Sequence, residues 1–180
     1  MQITIDSKKV KELSSYEMNL MNKGRIINFG KDTIEDWKKD YPLNSEVIFV
    51  KNKNKIVSFL VLRPIKIHYQ KTNYNIYGIC SVISFEKGRN YGRILISATI
   101  SFLQEKKKSA LGFTNKTAFF NKAGLGTEKG FIKRFVYVNP KNKEKIFDDD
   151  GDGIFYNSKD NFIQKILSTK SIVEIPIIHW

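Results

Sequence analysis

The sequence predicts an α/β (α+β) domain with a mixed, mainly antiparallel central sheet flanked by helices, and three observations carry that prediction. At 180 residues and 41% apolar content the chain is long enough to bury one core. Between Glu46 and Phe85, runs of β-branched and aromatic residues alternate with short polar turns, the pattern of consecutive strands. After that point the apolar spacing changes to that of a helix, with Leu95, Ala98, Thr99, Phe102 and Leu103 on one face.

Taken in order, Asp6 can cap a first helix whose apolar positions are Val10, Leu13, Tyr16, Leu20 and Met21. Thr33, with Asp36 three residues on, approximates a capping box for a short helix carrying Ile34 and Trp37, which Tyr41-Pro42 ends. Glu46–Val50 and Ile56–Leu62 read as a hairpin, followed by a strand Ile65–Tyr69, a turn Gln70–Asn73 and a long strand ending at Phe85. Beyond the helix come a short strand Ala110–Phe113, a helix from about Lys116 to Ala123, a strand Phe131–Val138, a helix Asn161–Ser168 and a last strand Ile172–Ile178. The whole chain, 1–180, is expected to be one domain, with an Asp-rich elaboration at about 141–170 before the last strand.

The junction between the long strand and its helix holds the chemistry. Ser84-Phe85-Glu86-Lys87-Gly88-Arg89-Asn90-Tyr91-Gly92-Arg93 places glycine and cations where a strand delivers the chain into a helix N-terminus. The unpaired N–H groups and positive dipole end of a first helical turn bind phosphate, and small residues let the backbone close on the oxygens. Lys87, Arg89 and Arg93 add charge to this cradle. Neither the G-x-G-x-x-G dinucleotide fingerprint nor the G-x-x-x-x-G-K-[ST] loop fits, since the glycines are Gly88 and Gly92 and no Lys-Ser/Thr pair follows the second.

In the same stretch, Lys87, Asn90 and Gly92 fall on the three fixed positions of a loop written Arg/Gln-x-x-Gly-x-Gly/Ala, and further on Phe119-Phe120-Asn121-Lys122-Ala123-Gly124-Leu125 is similar to Phe-Tyr-x-Lys-x-Gly-Phe. In that order the two segments resemble the acetyl-CoA loop and fourth-helix segment of the GCN5-related N-acetyltransferases. Lys87 stands for Arg/Gln, and Asn90, a residue that tolerates unusual backbone angles, stands for the first Gly. The resemblance covers about residues 1–138 and implies that family's acyl-CoA N-acyltransferase fold, with the expected elaboration as an insertion.

It also implies acetyl-CoA as acyl donor and a primary amine as acceptor. The pantetheine arm would lie where the sheet splays near Val82 and Leu111, on backbone groups of Val82 and Ser84. The pyrophosphate would lie on residues Lys87, Gly88, Arg89, Asn90, Tyr91, Gly92 and Arg93. Transfer would be direct, with backbone amides near Val82 steadying the developing oxyanion. The family's tyrosine, commonly the acid for the leaving thiolate, is Phe120 here. A non-catalytic acyl-CoA sensor is therefore the alternative.

For a base, an imidazole titrating near neutral pH can relay the ammonium proton. His179, at the end of the last strand and near the family's acceptor pocket, is the candidate; His68, Glu46, Glu174 and the C-terminal carboxylate are alternatives. Tyr137, Tyr156 and Tyr77 are the candidates for the missing acid. Cys80 lies within an apolar strand and reads as a small buried hydrophobe, and a single cysteine allows no intrachain disulfide.

Net charge of +13 invites a nucleic-acid reading. Yet residues 147–180 carry six carboxylates against three lysines, and the other cations are scattered in turns such as Lys51–Lys55. A basic body suits a cofactor bearing several phosphates, and no recognisable nucleic-acid motif accompanies it. Asp148, Asp150, Asp152 and Gly153 match positions 1, 3, 5 and 6 of a calcium loop, but position 12, which needs a bidentate Glu, is Lys159. No metal is expected; the segment between Phe147 and Ile154 reads as a polar Asp/Gly turn, and an acidic rim attracting a cationic amine is the other use of these carboxylates. Apolar runs stay far below the ~20 residues that span a bilayer, and Met1-Gln-Ile-Thr-Ile lacks the charged start and long apolar stretch of a signal peptide, so the cytoplasm is the expected location.

Overall fold

The computed structural model describes residues 2–148 and 151–177. Two compact units divide it, Met1–Arg63 with Ile79–Thr99 and Pro64–Gly78 with Ile100–Trp180.

In the first unit β1 (Ile3–Lys9) lies antiparallel to β2 (Glu46–Asn52), from Ile3 against Asn52 to Lys9 against Glu46. Strand β2 pairs antiparallel with β3 (Lys55–Tyr69) through a turn whose residues Lys53 and Asn54 are both left-handed, the geometry that matches strand twist in a two-residue hairpin. The order continues to β4 (Thr72–Ser84). Asp6 thus lies in a strand and does not cap a helix; its carboxylate accepts from Lys51 Nζ at 2.6 Å. Val10 and Leu13 are buried ahead of the helix, in and after a 3-10 turn. Helix α1 (Ser15–Phe29) begins at Ser14, whose hydroxyl accepts from Glu17 N while the Glu17 carboxylate accepts from Ser14 N, a reciprocal capping box.

Helix α1 turns Glu17, Met21 and Gly24 inward. Gly24 has a packing reason, because a Cβ there would come within 3.0 Å of the Phe85 ring and 3.2 Å of Ile83. The glycine lets α1 settle on the end of β4, at the threshold of the strand-to-helix junction. The short helix α2 (Trp37–Asp40) follows a 3-10 turn at Lys31–Thr33. Thr33 does not cap it; its hydroxyl donates to Gly30 O at 2.7 Å, and Asp36 occupies the cap position without a side-chain cap bond. Helix α3 (Tyr91–Lys106) leaves the junction with Tyr91, Leu95, Ile96 and Thr99 buried, close to the helical stripe expected.

Residues Ile56–Leu62 and Ile65–Tyr69, expected as separate strands, form the single strand β3 with Pro64 inside it. A proline keeps φ in a range a strand accepts and forgoes only its own N–H.

The second unit carries β5 (Ala110–Thr114), α4 (Thr117–Lys122), β6 (Gly126–Glu128), β7 (Phe135–Val138), β8 (Lys145–Ile146), β9 (Asp152–Tyr156), α5 (Phe162–Leu167) and β10 (Val173–Ile175). Within it the strand order is β3-β4-β5-β9-β6, with β4 and β5 parallel at Tyr77 against Ala110 and Gly78 against Leu111, and β9 antiparallel to β5 and β6. A second sheet has the order β10-β7-β8, with β7 and β10 parallel.

Three expectations change here. Asp152 and Gly153, read as part of an Asp/Gly turn, enter the sheet in β9. Its Gly153 is a close-approach glycine, since a Cβ would sit 2.4 Å from Phe131, and Gly126 meets Phe155 at 2.2 Å in the same way. Phe131–Arg134 is a 3-10 turn, so the strand expected from Phe131 begins only at Phe135. The last two strands, expected in one mixed sheet, pair with each other in the smaller one. Phe162, fully buried at the start of α5, packs its ring 4.8 Å from Tyr74 and edge-on to Tyr69 at 6.4 Å, among Ile65, Ile67 and Ile76.

Candidate functional site

The junction in the first unit is built by its neighbours. Strand β4 ends at Ser84, whose hydroxyl donates to Glu86 O at 3.1 Å, while Phe85 N donates to Val57 O at 3.0 Å. Gly88 and Asn90 are both left-handed, with φ of 76° and 60°. Asn90 therefore adopts the backbone conformation for which a glycine would otherwise be needed. Ile94 N donates to Asn90 O at 3.0 Å, so α3 starts there and the amides of Tyr91, Gly92 and Arg93 form its first turn.

Lys87, Gly88, Arg89, Asn90 and Arg93 are exposed, and Val82, Ser84 and Gly92 half-buried. Tyr91 differs: its side chain is buried, its hydroxyl receives Asn52 Nδ2 at 2.9 Å, and its carbonyl receives Ser58 Oγ at 3.3 Å. Only its backbone can serve a ligand; its ring hydroxyl anchors the first turn to β2 and its carbonyl anchors it to β3. Two left-handed residues, a helix N-terminus and three exposed cations are the ingredients of an anion site.

A polar cluster that the sequence reading missed lies beside this junction in the same unit. Ser81, inside β4, is left-handed at φ 50°. Arg25 of α1 reaches it with Nη1 on Ser81 Oγ, while Nε donates to Thr33 O at 2.6 Å and Nη2 pairs with Glu35 Oε1 at 2.8 Å. The guanidinium lies 5.7 Å from the Phe29 ring and 5.8 Å from the Trp37 ring. Arg63 stacks on the Tyr41 ring at 5.4 Å. Burial, with Cys80 and Glu35 adding to it, holds the Tyr41 hydroxyl well above the usual phenol range, so it stays protonated. The Cys80 thiol, buried as expected, is pushed up to about 12 by that burial, against the pull of Arg63 and Arg25. A protonated thiol is a poor nucleophile. A lone arginine inside a helix gives no spacing signal, which is why the cluster was invisible in the sequence.

His179 lies outside the described residues, as do Asp149 and Asp150. His68 is exposed, with Nδ1 2.8 Å from Asn73 Oδ1, in a groove of about 930 Å³ that Lys66, Asn75, Lys143 and Glu174 also line in the second unit. Glu174 is exposed and held by Lys145 at 2.6 Å, and Glu46 is half-buried at the start of β2. Tyr137 is buried, Tyr77 packs edge-on to Phe102 at 6.2 Å, and Tyr156 pairs with Ala110 in the sheet. Phe120 is buried in α4, 5.1 Å from the ring of Phe119. Asp152 accepts from Gly130 N at 2.7 Å. Among the described residues no group of His, Cys, Asp and Glu is arranged to hold a metal ion, and no helix is long and apolar enough to cross a membrane.

No family model matches the chain, and no curated protein does. Solved structures do. A conserved protein of Enterococcus faecalis V583, a probable N-acyltransferase, is 18% identical with a TM-score of 0.56, covering 71% of this chain and 33% of its own; the chain thus spans about a third of that protein. Escherichia coli ElaA is 16% identical with a TM-score of 0.58 and covers 86% of this chain and 99% of its own. A GCN5-related N-acetyltransferase from Anabaena variabilis ATCC 29413 is 15% identical at a TM-score of 0.56, covering 69% of this chain and 32% of its own. At such identities the likeness is one of fold. The mixed, mostly antiparallel sheet flanked by helices matches these structures, and the chain has the fold of the GCN5-related N-acetyltransferases.

Proposed function

We propose that this protein is an acetyl-CoA-dependent N-acetyltransferase that acts on a primary amine by direct transfer. The observation that supports the reading is the β4–α3 junction, where left-handed Gly88 and Asn90 and the exposed Lys87, Arg89 and Arg93 accompany the first-turn amides of α3. The residues present fit acetyl-CoA: amides from Gly88 to Arg93 would hold the pyrophosphate, and backbone groups of Val82 and Ser84 would hold the arm. When bound, acetyl-CoA supplies the acetyl group as a thioester.

The chain's own groups then have three tasks: to orient that thioester, to take a proton from the acceptor ammonium, and to return one to the leaving sulfur. The Val82 amide serves the first, as a donor to the developing oxyanion. His179 is the base proposed for the second, and for the third the thiolate takes its proton from water or from a residue other than Phe120. The protonated state of Cys80 supports transfer without a covalent enzyme intermediate.

Phe120 favours a second reading. A buried phenyl ring cannot give up a proton, so a protein that binds acyl-CoA and turns nothing over, a sensor, is consistent with that position. Turnover separates the two. In an active enzyme Phe120→Tyr leaves CoA affinity within about twofold, because the ring is kept, and leaves turnover equal or raised. Activity that appears only in Phe120→Tyr would establish the sensor reading for the native chain. A fall in turnover in a folded Phe120→Tyr variant would give Phe120 a packing role instead.

A further inference from the structure

The Arg25 guanidinium spans three elements with each of its nitrogens in use. Nε donates to the Thr33 carbonyl at 2.6 Å, Nη2 pairs with Glu35 at 2.8 Å, and Nη1 donates to the Ser81 hydroxyl. Its side chain is only 14% exposed, that of Glu35 only 11%, and aromatic rings of Phe29 and Trp37 lie against it. A planar fork with fixed donor directions holds such a geometry in a way that an ammonium on a flexible stem does not.

What it holds is unusual. Ser81 is a non-glycine residue at φ 50° in mid-strand, a conformation that costs free energy unless its surroundings impose it. Its own backbone turn sets the direction of the next peptide, whose N–H belongs to Val82. The Ser81 hydroxyl is held by Arg25, itself locked by Thr33 and Glu35. This hydroxyl is the only part of Ser81 beyond the backbone and Cβ, so the side-chain bonds act directly on the strained turn.

Resting on the acetyl-CoA reading above, we infer that Arg25 is a positioning residue: through the Ser81 hydroxyl it fixes the left-handed turn of β4 and so aims the Val82 N–H at the acetyl carbonyl. It does not touch substrate itself. The same fork fixes Thr33 and Glu35, so the segment between α1 and α2 and the turn of β4 move as one piece.

The acetyl group is what distinguishes acetyl-CoA from CoA, so the ratio of their affinities isolates the contact that Arg25 is inferred to set. Calorimetric titration of the native protein with each should give tighter binding of acetyl-CoA by about three- to tenfold, the size of one hydrogen bond to a carbonyl. In Arg25→Met that preference should fall to about onefold, acetyl-CoA losing more affinity than CoA, since the junction at residues 87–93 that both share is untouched. Ser81→Ala, which keeps Arg25 and its bonds to Thr33 and Glu35, should lose the preference equally, and guards against a variant that fails to fold. A merely structural role would lower the melting temperature and leave the ratio as it was. A native protein that binds both equally, or a folded Arg25→Met or Ser81→Ala that keeps the preference, overturns the inference. A native protein that binds neither overturns the acetyl-CoA reading itself.

Discussion

Gly92→Glu is expected to weaken CoA binding at least about a hundredfold while the protein stays folded. Gly92 is the second residue of α3, in the turn whose amides point toward the proposed pyrophosphate, and it is half-buried. A carboxylate there meets the phosphates as a like charge. At about 4 Å and an effective dielectric near 20 such a pair costs about 4 kcal/mol, more than the ~2.7 kcal/mol a hundredfold loss requires. The fold has no matching reason to suffer, because an acidic residue in a first helical turn interacts favourably with the helix dipole and a glycine there is a poor helix former. Tyr91, buried and tied to Asn52 and Ser58, keeps the helix start in place. Unchanged CoA affinity in a folded Gly92→Glu variant, read by calorimetry, would contradict the site.

The largest effect on stability is expected at Phe162. Its side chain is fully buried, stacked near Tyr74 and edge-on to Tyr69, and truncation to alanine removes an aromatic ring from the centre of the second unit's core. Such changes cost about 3–5 kcal/mol, because transfer free energy and the unfilled cavity both count. Against a typical domain stability of about 5–15 kcal/mol this is a large share. Urea unfolding of Phe162→Ala should show a midpoint lowered accordingly with little change in slope. Phe119, 40% exposed, is the control, and its alanine variant should lose less than about 1 kcal/mol. A loss at Phe162 no greater than at Phe119 would mean that this cluster is not the core it looks to be.

How much of this could be read from the chain depends on how local the cause is. The junction was legible because its ingredients are contiguous: a β-branched run, small and cationic residues, then helical spacing. Asn90 in the left-handed region bears out the reading of that residue as a stand-in for glycine. Cys80 as a buried, unreactive thiol follows equally from the apolar strand around it.

Other features are set by partners far away in sequence. The first strand was mistaken for a helix because Val10 and Leu13 extend the helical period backwards, whereas Asp6 and its neighbours are claimed by seven residues of pairing with β2. Strand β9 was hidden by Asp152 and Gly153, which are turn formers by composition; only the nearness of Phe131 explains a glycine there. The Arg25 cluster joins residues 56 positions apart, and no periodicity announces such a contact. His179, the proposed base, falls outside the described residues.

The central claim is transfer of an acetyl group to an amine, and the most direct measurement is of that product. Purified protein, acetyl-CoA and each of a panel of polyamines, aminosugars, amino acids and peptides with free N-termini would be followed for free thiol, with the acceptor weighed by mass spectrometry. The account predicts thiol release that requires both protein and one class of amine, with an acceptor heavier by one acetyl group and release lost in Gly92→Glu. Tight acetyl-CoA binding with no acetylated acceptor anywhere in the panel, and thiol release no faster than from acetyl-CoA alone, would contradict it.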